Sequence, residues 1–347
     1  MKLDAEMRDL FVQELSLCGV KAGETVVVLT ADDEWAENAH AFMAAASDLG
    51  ATTLNLNLRR GQRNAVGVQG RHPVTGNALA MQTLKSADMV IDMVGLLFSR
   101  EQAEIQEAGV RVLRVMEPFH VLKQMFPTVD LRRRVEFAKG LLEKARTLRF
   151  TSAAGTDITY QLGQYRVISE YGYTDEPGRW DHFPSGFSFT QGNDGGVNGQ
   201  VVLQPGDILC AFKQYVTSPV VLQVEKGMVV SITGEGMDAQ LLKSYMDSFD
   251  DPRAYAVSHI GWGLNEKARW YQFSVTRELS HEHVMNALSF YGNVLFSLGP
   301  NAEVGGTNDT ACHLDLPMRG CSLWLDDLQI LHEGEVVHPE MRVERHA

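Results

Sequence analysis

The feature that most constrains the fold of this sequence is an alternation of strand-like and helix-like segments over residues 1 to 116. The apolar run TVVVLT at residues 25 to 30 is typical of a strand covered on both faces. Further strands are predicted at residues 52–58, 88–93 and 110–116, and helices at residues 3–18, 34–49, 77–85 and 102–107. Because strands that alternate with helices are joined by right-handed crossovers, the pattern predicts an α/β domain with a doubly wound parallel sheet.

This first, Rossmann-like domain is predicted to end with a charged helix at residues 130 to 147, so that it spans residues 1 to 147. No Gly-x-Gly-x-x-Gly follows the first strand and no Gly-Lys-Ser or Gly-Lys-Thr occurs, so we expect a structural or oligomeric role, in a homo-oligomer, and no nucleotide. The loop at residues 95 to 100 leaves the carboxyl end of a strand, where open α/β sheets bind ligands. Leu97 and Phe98 are therefore predicted to form a lid over a site, with an ordinary strand-to-helix connection as the alternative.

Short strands joined by tight turns dominate the sequence from residue 149 onward. The segments LRFTS and DITYQL are separated by a turn that contains Ala-Gly-Thr, and PVVLQVEKGMVVSI contains a Glu-Lys-Gly turn, which are hairpin signals. Helices are predicted near residues 237 to 249 and 280 to 291. The pattern predicts a second domain of the α+β class over residues 148 to 347, with a largely antiparallel sheet.

Composition restricts the partners and the compartment. The 347 residues carry 31 Lys and Arg against 44 Asp and Glu, a formal net charge of −13, which argues against nucleic acid or an anionic membrane as a partner. No apolar run approaches the roughly 18 residues of a membrane-spanning helix, so no membrane span is expected. The four cysteines lack the C-x-x-C spacing of a zinc ribbon and suggest no disulfide framework, which fits a reducing cytosol and predicts a cytoplasmic protein.

His313 and Asp315 stand two residues apart in the stretch GGTNDTACHLDL. Residues i and i+2 of a strand point to the same face, so this pair presents an imidazole and a carboxylate side by side. His259 follows the probable strand AYAVS and enters a Gly-rich turn, where a backbone can come close to a metal. Two imidazoles and one carboxylate with three open positions form the facial triad of non-haem Fe(II) oxygenases. The spacing leaves a structural, hydrogen-bonded arrangement open as the alternative.

The second half of the chain resembles the leucyl aminopeptidase family typified by aminopeptidase T, in the segments GNVLFSLGPN, EVGGTNDTACHLDL and SLWLDD. The similarity over the first domain is weaker. The family site, as the resemblance implies it, holds two metals with two glutamates, two histidines and an aspartate. This sequence keeps His313 and Asp315, but Phe187 and Leu295 replace a glutamate and a histidine, and His259 replaces the other glutamate. The exchange predicts one metal in an open site of two histidines and one carboxylate.

Together with GRWDHFPSG, this altered ligand set resembles the 2,5-dihydroxypyridine 5,6-dioxygenase family, which belongs to the same superfamily. The resemblance implies Fe(II) on His259, His313 and Asp315, and opening of an N-heteroaromatic ring by O2 to N-formylmaleamate, in nicotinate or nicotine degradation. Two alternatives stay open. One is a metallo-aminopeptidase of the same superfamily, and the other is a catalytically inactive member that binds a small molecule or a partner.

Four residues near GRWDHFPSG complete the predicted site. Glu170 and His182 are suited to general acid–base work on a phenolic substrate, whose hydroxyl must lose a proton to bind iron well. Trp180 and Phe183 are predicted to wall the aromatic ring, beside Leu97 and Phe98. For Glu170 and His182 a hydrogen-bonded structural role is the alternative, and for the aromatic residues it is a place in the core.

Overall fold

A computed structural model describes residues 4–59, 72–97, 99–273 and 284–343 of the chain. Its helices are α1 (Ala5–Leu17), α2 (Ala36–Asp48), α3 (Ala78–Lys85), α4 (Arg100–Glu107), α5 (Phe119–Gln124), α6 (Val129–Leu142), α7 (Met237–Asp247) and α8 (Met285–Leu288). Its strands are β1 (Thr25–Ala31), β2 (Thr52–Leu58), β3 (Met89–Asp92), β4 (Arg111–Arg114), β5 (Thr147–Ser152), β6 (Asp157–Gln161), β7 (Ile168–Glu170), β8 (Trp180–His182), β9 (Phe187–Gln191), β10 (Val197–Leu203), β11 (Ile208–Leu209), β12 (Gln214–Tyr215), β13 (Val220–Glu225), β14 (Met228–Thr233), β15 (Val257–Gly263), β16 (Val294–Leu298), β17 (Leu314–Met318), β18 (Cys321–Leu325), β19 (Leu328–His332) and β20 (Glu335–Val336). Within these ranges, no helix has the length and apolar character needed to cross a membrane.

Five parallel strands form the first layer, in the order β2, β1, β3, β4, β8. The strands and helices predicted up to residue 116 are present, so the parallel α/β layer is confirmed. The fifth strand, β8, comes from beyond residue 147 and pairs with β4 through Val112 with Trp180 and Arg114 with His182. The predicted boundary between residues 147 and 148 therefore does not divide the chain into two independent layers, because a later segment completes the first sheet.

Local sequence signals explain where the elements of this layer begin and end. The side chains of Asp4, Asn77, Ser99 and Thr128 each accept a hydrogen bond from a backbone N–H in the first turn of α1, α3, α4 and α6. Gly50 follows α2 with a φ of 81°, the left-handed conformation that glycine adopts without strain. The helix predicted at residues 130 to 147 is α6, which ends five residues earlier.

Antiparallel sheets make up most of the rest of the chain. Eight strands follow the order β14, β13, β10, β6, β5, β18, β19, β20, and five follow the order β17, β16, β15, β9, β7. The predicted hairpins are β5–β6 and β13–β14, and the second turns through Lys226 and Gly227, both with positive φ. The two sheets pack face to face, with the ring centroids of Phe150 and Phe296 6.5 Å apart. Of the helix predicted at residues 280 to 291, the described part contains α8, while residues 280 to 283 lie outside the described ranges.

The five-stranded antiparallel sheet positions the candidate site through its two faces. On one face, Trp262 and Phe296 are fully buried in the main core. The opposite face carries His259, together with Phe189 and Leu295 of a smaller apolar cluster, because directly paired residues on neighbouring strands share a face. The sheet thus separates the core from the face that bears the candidate functional residues.

Candidate functional site

His259, His313 and Asp315 converge at one end of this face. Their candidate ligand atoms all lie within 4.8 Å of one another. Nε2 of His259 is 3.1 Å and Nε2 of His313 is 3.4 Å from Oδ1 of Asp315. Ser297 lies directly across from Asp315 on β16 and donates its hydroxyl to Oδ1 at 2.6 Å. The H-x-D pair and His259, which are 54 residues apart in the sequence, therefore form one largely buried cluster.

His259 lies inside β15, whereas the sequence pattern predicted a turn after a strand. The glycines that suggested a turn, Gly261 and Gly263, are strand residues in tight contact with neighbouring chain segments. A Cβ atom added to Gly261 would lie 2.2 Å from the carbonyl oxygen of Ser188, and one added to Gly263 would lie 2.3 Å from that of Phe290. The glycines therefore permit close packing of the backbone, and it is the imidazole of His259 that faces the site.

The charges around His259 favour a cation. Burial lowers the pKa of His259, but the carboxylates of Asp315 and Glu303 outweigh this effect and raise it to about 10. Burial raises the pKa of Asp315, but His313 and His259 outweigh it and hold that pKa well below its usual range. The cluster thus keeps an ionised carboxylate away from water and draws positive charge to its centre.

Glu303 adjoins this cluster, and sequence reasoning missed it. It lies on a short 3-10 turn, Ala302–Val304, and its Oε1 is 3.3 Å from Nδ1 of His259. Its only sequence signal is an acidic residue two positions before a Gly-Gly doublet. No fixed distance in the sequence links Glu303 to His259, because the two residues come together only in the folded chain.

The donor set of this cluster fits one divalent metal ion. Two imidazole nitrogens and a carboxylate oxygen within one coordination sphere are the ligands that non-haem iron and other transition metals take. Phe187 and Leu295, at two positions where the resemblance placed aminopeptidase ligands, are buried apolar residues on the same face. Neither side chain offers a donor atom, so a second metal would lack these ligands.

Glu170 and His182 form a second buried polar pair. Nδ1 of His182 is 2.5 Å from Oε2 of Glu170, and Ser185 donates its hydroxyl to the same oxygen at 3.1 Å. Nη1 of Arg114 lies 3.2 Å from Nε2 of His182. Because a guanidinium group only donates, Nε2 is the acceptor, so Nδ1 carries the proton that His182 donates to Glu170. Sequence reasoning missed Arg114 and Ser185; Arg114 reaches His182 because β4 and β8 are neighbours.

The two polar clusters lie at opposite ends of an apolar floor. Glu170 pairs with Phe187, which pairs with Gly263, four residues along β15 from His259. Strands about 4.8 Å apart with a rise of about 3.4 Å per residue place the Cα atoms of Glu170 and His259 roughly 17 Å apart. The rings of Phe187 and Phe189, with centroids 5.6 Å apart, cover the sheet between them.

The loop at residues 95 to 100 follows β3, as predicted, and its first residues are fixed. The buried carboxylate of Asp92 accepts hydrogen bonds from the backbone N–H groups of residues 94, 95 and 96, at 2.9, 3.0 and 2.8 Å. A Cβ atom added to Gly95 would lie 3.6 Å from Nη2 of Arg114, so Gly95 lies beside the arginine that contacts His182. Leu97 is half-buried, and Phe98 lies outside the described residues. Their role as a lid stays a prediction.

The structure separates the two aromatic residues predicted to wall the ring. Trp180 is half-buried, and its ring stands edge-on to that of His182 with centroids 5.3 Å apart. Phe183 is 1% exposed and packs in the core, 6.4 Å from the ring of Phe11 and 5.9 Å from that of Phe126. This core position disfavours Phe183 as a wall residue, because consecutive residues of an extended segment point to opposite sides and the side taken by His182 is the polar one.

Comparison with known proteins decides the family. Residues 6 to 338 match the sequence model of the 2,5-dihydroxypyridine 5,6-dioxygenase family, NicX. The chain belongs to this dioxygenase family. A curated relative, 2,5-dihydroxypyridine 5,6-dioxygenase from Pseudomonas putida KT2440, is 42% identical over 343 residues, which cover 97% of this chain and 97% of the relative. The resemblance read from the sequence is confirmed.

Solved structures agree with this assignment to the dioxygenase family. The structure of 2,5-dihydroxypyridine dioxygenase from Pseudomonas putida KT2440 matches with a TM-score of 0.94 at 42% identity, over 97% of this chain and 99% of that chain. AmpT from Thermus thermophilus matches with a TM-score of 0.59 at 14% identity, over 96% of this chain and 99% of that chain. The second match shows that this chain shares its fold with AmpT.

Proposed function

We propose that this protein is a mononuclear non-haem Fe(II) dioxygenase that opens the ring of 2,5-dihydroxypyridine with O2 to give N-formylmaleamate, a step of nicotinate or nicotine degradation. The observation that carries the proposal is the cluster of His259, His313 and Asp315, in a chain 42% identical to a 2,5-dihydroxypyridine 5,6-dioxygenase. Three protein ligands of this kind leave three coordination positions for substrate and O2.

The residues of the cluster hold and orient the metal. A ferrous ion, when bound, supplies open coordination positions and the redox chemistry through which O2 reacts with an aromatic ring. The hydroxyl of Ser297 fixes the carboxylate of Asp315. The ring of Phe189, 5.0 Å from that of His259 between centroids, limits rotation of the imidazole. These contacts keep the three donor atoms together before a metal arrives.

His182 accepts the proton of a substrate hydroxyl, and Glu170 stabilises the imidazolium that results. Glu170 is almost completely buried and receives hydrogen bonds from His182 and Ser185, so it acts through His182 and not on the substrate itself. Nε2 is the nitrogen of His182 with a lone pair free of Glu170. Arg114 must move away from Nε2 before that nitrogen accepts a proton, and its positive charge then lies beside the deprotonated oxygen.

The arrangement of polar and apolar groups suits a flat ring with polar atoms at both ends. The two oxygen substituents of 2,5-dihydroxypyridine stand across the ring from each other. One faces the metal cluster and the other faces His182, while Phe187 and Phe189 lie under the ring and exclude water. Because the two oxygens are conjugated through the ring, loss of the proton to His182 also makes the oxygen at the metal cluster a better ligand.

Two further observations bear on the alternatives and the compartment. A binuclear metallo-aminopeptidase is disfavoured, because Phe187 and Leu295 supply no ligand for a second metal. The four cysteines are free and buried, which supports a cytoplasmic location in a reducing compartment.

Anaerobic reconstitution tests the proposal. We expect one iron per chain after reconstitution with Fe(II), O2 uptake on 2,5-dihydroxypyridine, and no turnover with Zn(II) in its place. His259→Ala, His313→Ala and Asp315→Ala should each lose iron and activity while keeping the fold, and His40→Ala, on the exposed face of α2, should retain both. Two tightly bound metals per chain, or full iron and near-normal turnover in His259→Ala, would contradict it.

A further inference from the structure

Glu303 is a buried carboxylate on the far side of His259 from the metal cluster. Its side chain is 4% exposed, and Oε1 lies 3.3 Å from Nδ1 of His259. Apart from the imidazole of His259, no group among residues 4–59, 72–97, 99–273 and 284–343 donates a hydrogen bond to either carboxylate oxygen. A carboxylate kept from water is costly unless it accepts a hydrogen bond, and Nδ1 of His259 is the donor beside it.

The backbone around Glu303 is held in place, so the carboxylate is positioned and not merely nearby. Nε of Arg166 donates to the carbonyl oxygen of Glu303 at 2.6 Å, and the backbone N–H of Arg166 donates to that of Val304 at 3.3 Å. The N–H of Gly306 closes the turn on the carbonyl oxygen of Asn301 at 2.8 Å. These bonds fix the turn on both sides of Glu303.

The two nitrogens of His259 point to different partners. Nε2 faces Oδ1 of Asp315 at 3.1 Å, and Nδ1 faces Oε1 of Glu303 at 3.3 Å. The hydroxyl oxygen of Ser258 lies farther from Nδ1, at 3.4 Å, and its own hydrogen is donated to the carbonyl oxygen of Pro300. The two ring nitrogens project in diverging directions. An ion bound by Nε2 and Asp315 therefore lies on the other side of the imidazole from Glu303. A proton on Nδ1 that is donated to Glu303 leaves the lone pair on Nε2, which is the form of histidine that binds a metal.

We propose that Glu303 is a positioning residue of the metal site: it accepts the Nδ1 hydrogen of His259, fixes the tautomer and ring orientation, and strengthens Nε2 as a ligand. This inference rests on the proposed function, since it requires a metal on His259. Glu303 thus strengthens metal binding without contacting the ion, unlike the three residues that bind it directly.

Metal affinity measured without turnover tests the inference. Zn(II) is titrated against a chromophoric chelator for the wild type, Glu303→Ala and Glu303→Gln, and the absorption spectrum of the Co(II) form of each is recorded. Loss of an outer partner of a metal-binding histidine weakens binding about 10- to 100-fold, which is the rise in Kd expected for Glu303→Ala. Glu303→Gln keeps a neutral acceptor, and a neutral hydrogen bond is about half as strong as a charged one. It should therefore lose about half the binding free energy lost in Glu303→Ala, which raises Kd about 3- to 10-fold.

A matched control removes one negative charge from the same region without touching the imidazole. Asp309 is exposed and pairs with Arg253, so Asp309→Asn should bind Zn(II) with the wild-type Kd. The Co(II) spectra of both Glu303 variants should keep the ligand set of the wild type. If both variants bind Zn(II) with the Kd of the wild type, the role of Glu303 is wrong, while the proposed function still stands. If Glu303→Gln abolishes binding as Asp315→Ala does, Glu303 is a direct ligand and the inference is wrong. If the wild type binds no divalent ion, the proposed function fails as well.

Discussion

Replacement of Glu170 by glutamine should slow ring opening about 10- to 100-fold while iron stays in place. The Glu170 carboxylate accepts the Nδ1 hydrogen of His182 at 2.5 Å in a buried setting. A hydrogen bond to a charged group contributes about 1.5–3 kcal/mol, and each 1.4 kcal/mol is about a factor of ten in rate. The amide N–H of glutamine can also donate to Nδ1 of His182. That contact favours the tautomer with the proton on Nε2, and a protonated Nε2 cannot accept the proton of the substrate.

Steady-state O2 uptake across pH, with iron content and melting temperature measured on the same preparations, checks this expectation. His182→Ala should lose about 10²–10⁴-fold, and a more alkaline buffer should restore part of the rate in both variants, since it supplies substrate already deprotonated. Ser185→Ala removes a neutral donor from the same oxygen and serves as the control, with a loss below about tenfold. An unchanged rate and pH profile in Glu170→Gln would refute the proton-transfer role, and loss of iron would place Glu170 in the metal site.

Three further predictions concern the scaffold. Phe183→Ala should lower the free energy of unfolding by about 3–5 kcal/mol and leave the Kd for Zn(II) unchanged, because the ring packs in the core; an unchanged urea midpoint with weaker substrate binding would return Phe183 to the pocket. Asp92→Ala leaves three backbone N–H groups without their acceptor and should lower the free energy of unfolding by about 3 kcal/mol. It should also raise KM, and an unchanged KM would show that the loop at residues 95 to 100 plays no part in binding. Burial raises the pKa of Asp207 to about 6, so between about pH 4 and pH 6 the folded protein keeps a proton that the unfolded chain releases. Its contribution to stability should therefore fall by up to about 3 kcal/mol as pH rises through that window, and urea unfolding of Asp207→Asn should lack this fall.

The sequence predicted what depends on short, regular spacing. The parallel layer followed from the alternation of apolar runs and helical stripes, and the shared direction of His313 and Asp315 followed from the period of a strand. The strand β8 was missed because three residues, Trp180–His182, carry no detectable period. Its pairing with β4 depends on contacts between segments far apart in the chain.

The rest of the site depends on proximity that a single sequence does not encode. Glu303 and Arg114 reach their histidines from separate elements, so neither has a fixed spacing from its partner. The glycines at positions 261 and 263 predict a turn because glycine is common in turns, whereas in the fold a neighbouring strand or loop approaches the backbone too closely for any Cβ atom. The sequence predicts Phe183 in the pocket because an aromatic residue beside polar residues has the same pattern in a core and in a site.

Isotope labelling tests the central claim most directly. The iron-loaded protein is given 2,5-dihydroxypyridine under ¹⁸O2, and the product is analysed at once by mass spectrometry. Cleavage between ring carbons 5 and 6 by a dioxygenase should place one ¹⁸O atom in the new carboxylate and one in the new formyl group, so that N-formylmaleamate carries both atoms of one O2. A product with one or no ¹⁸O atom after correction for exchange with water, or ring opening that continues without O2, would contradict the account.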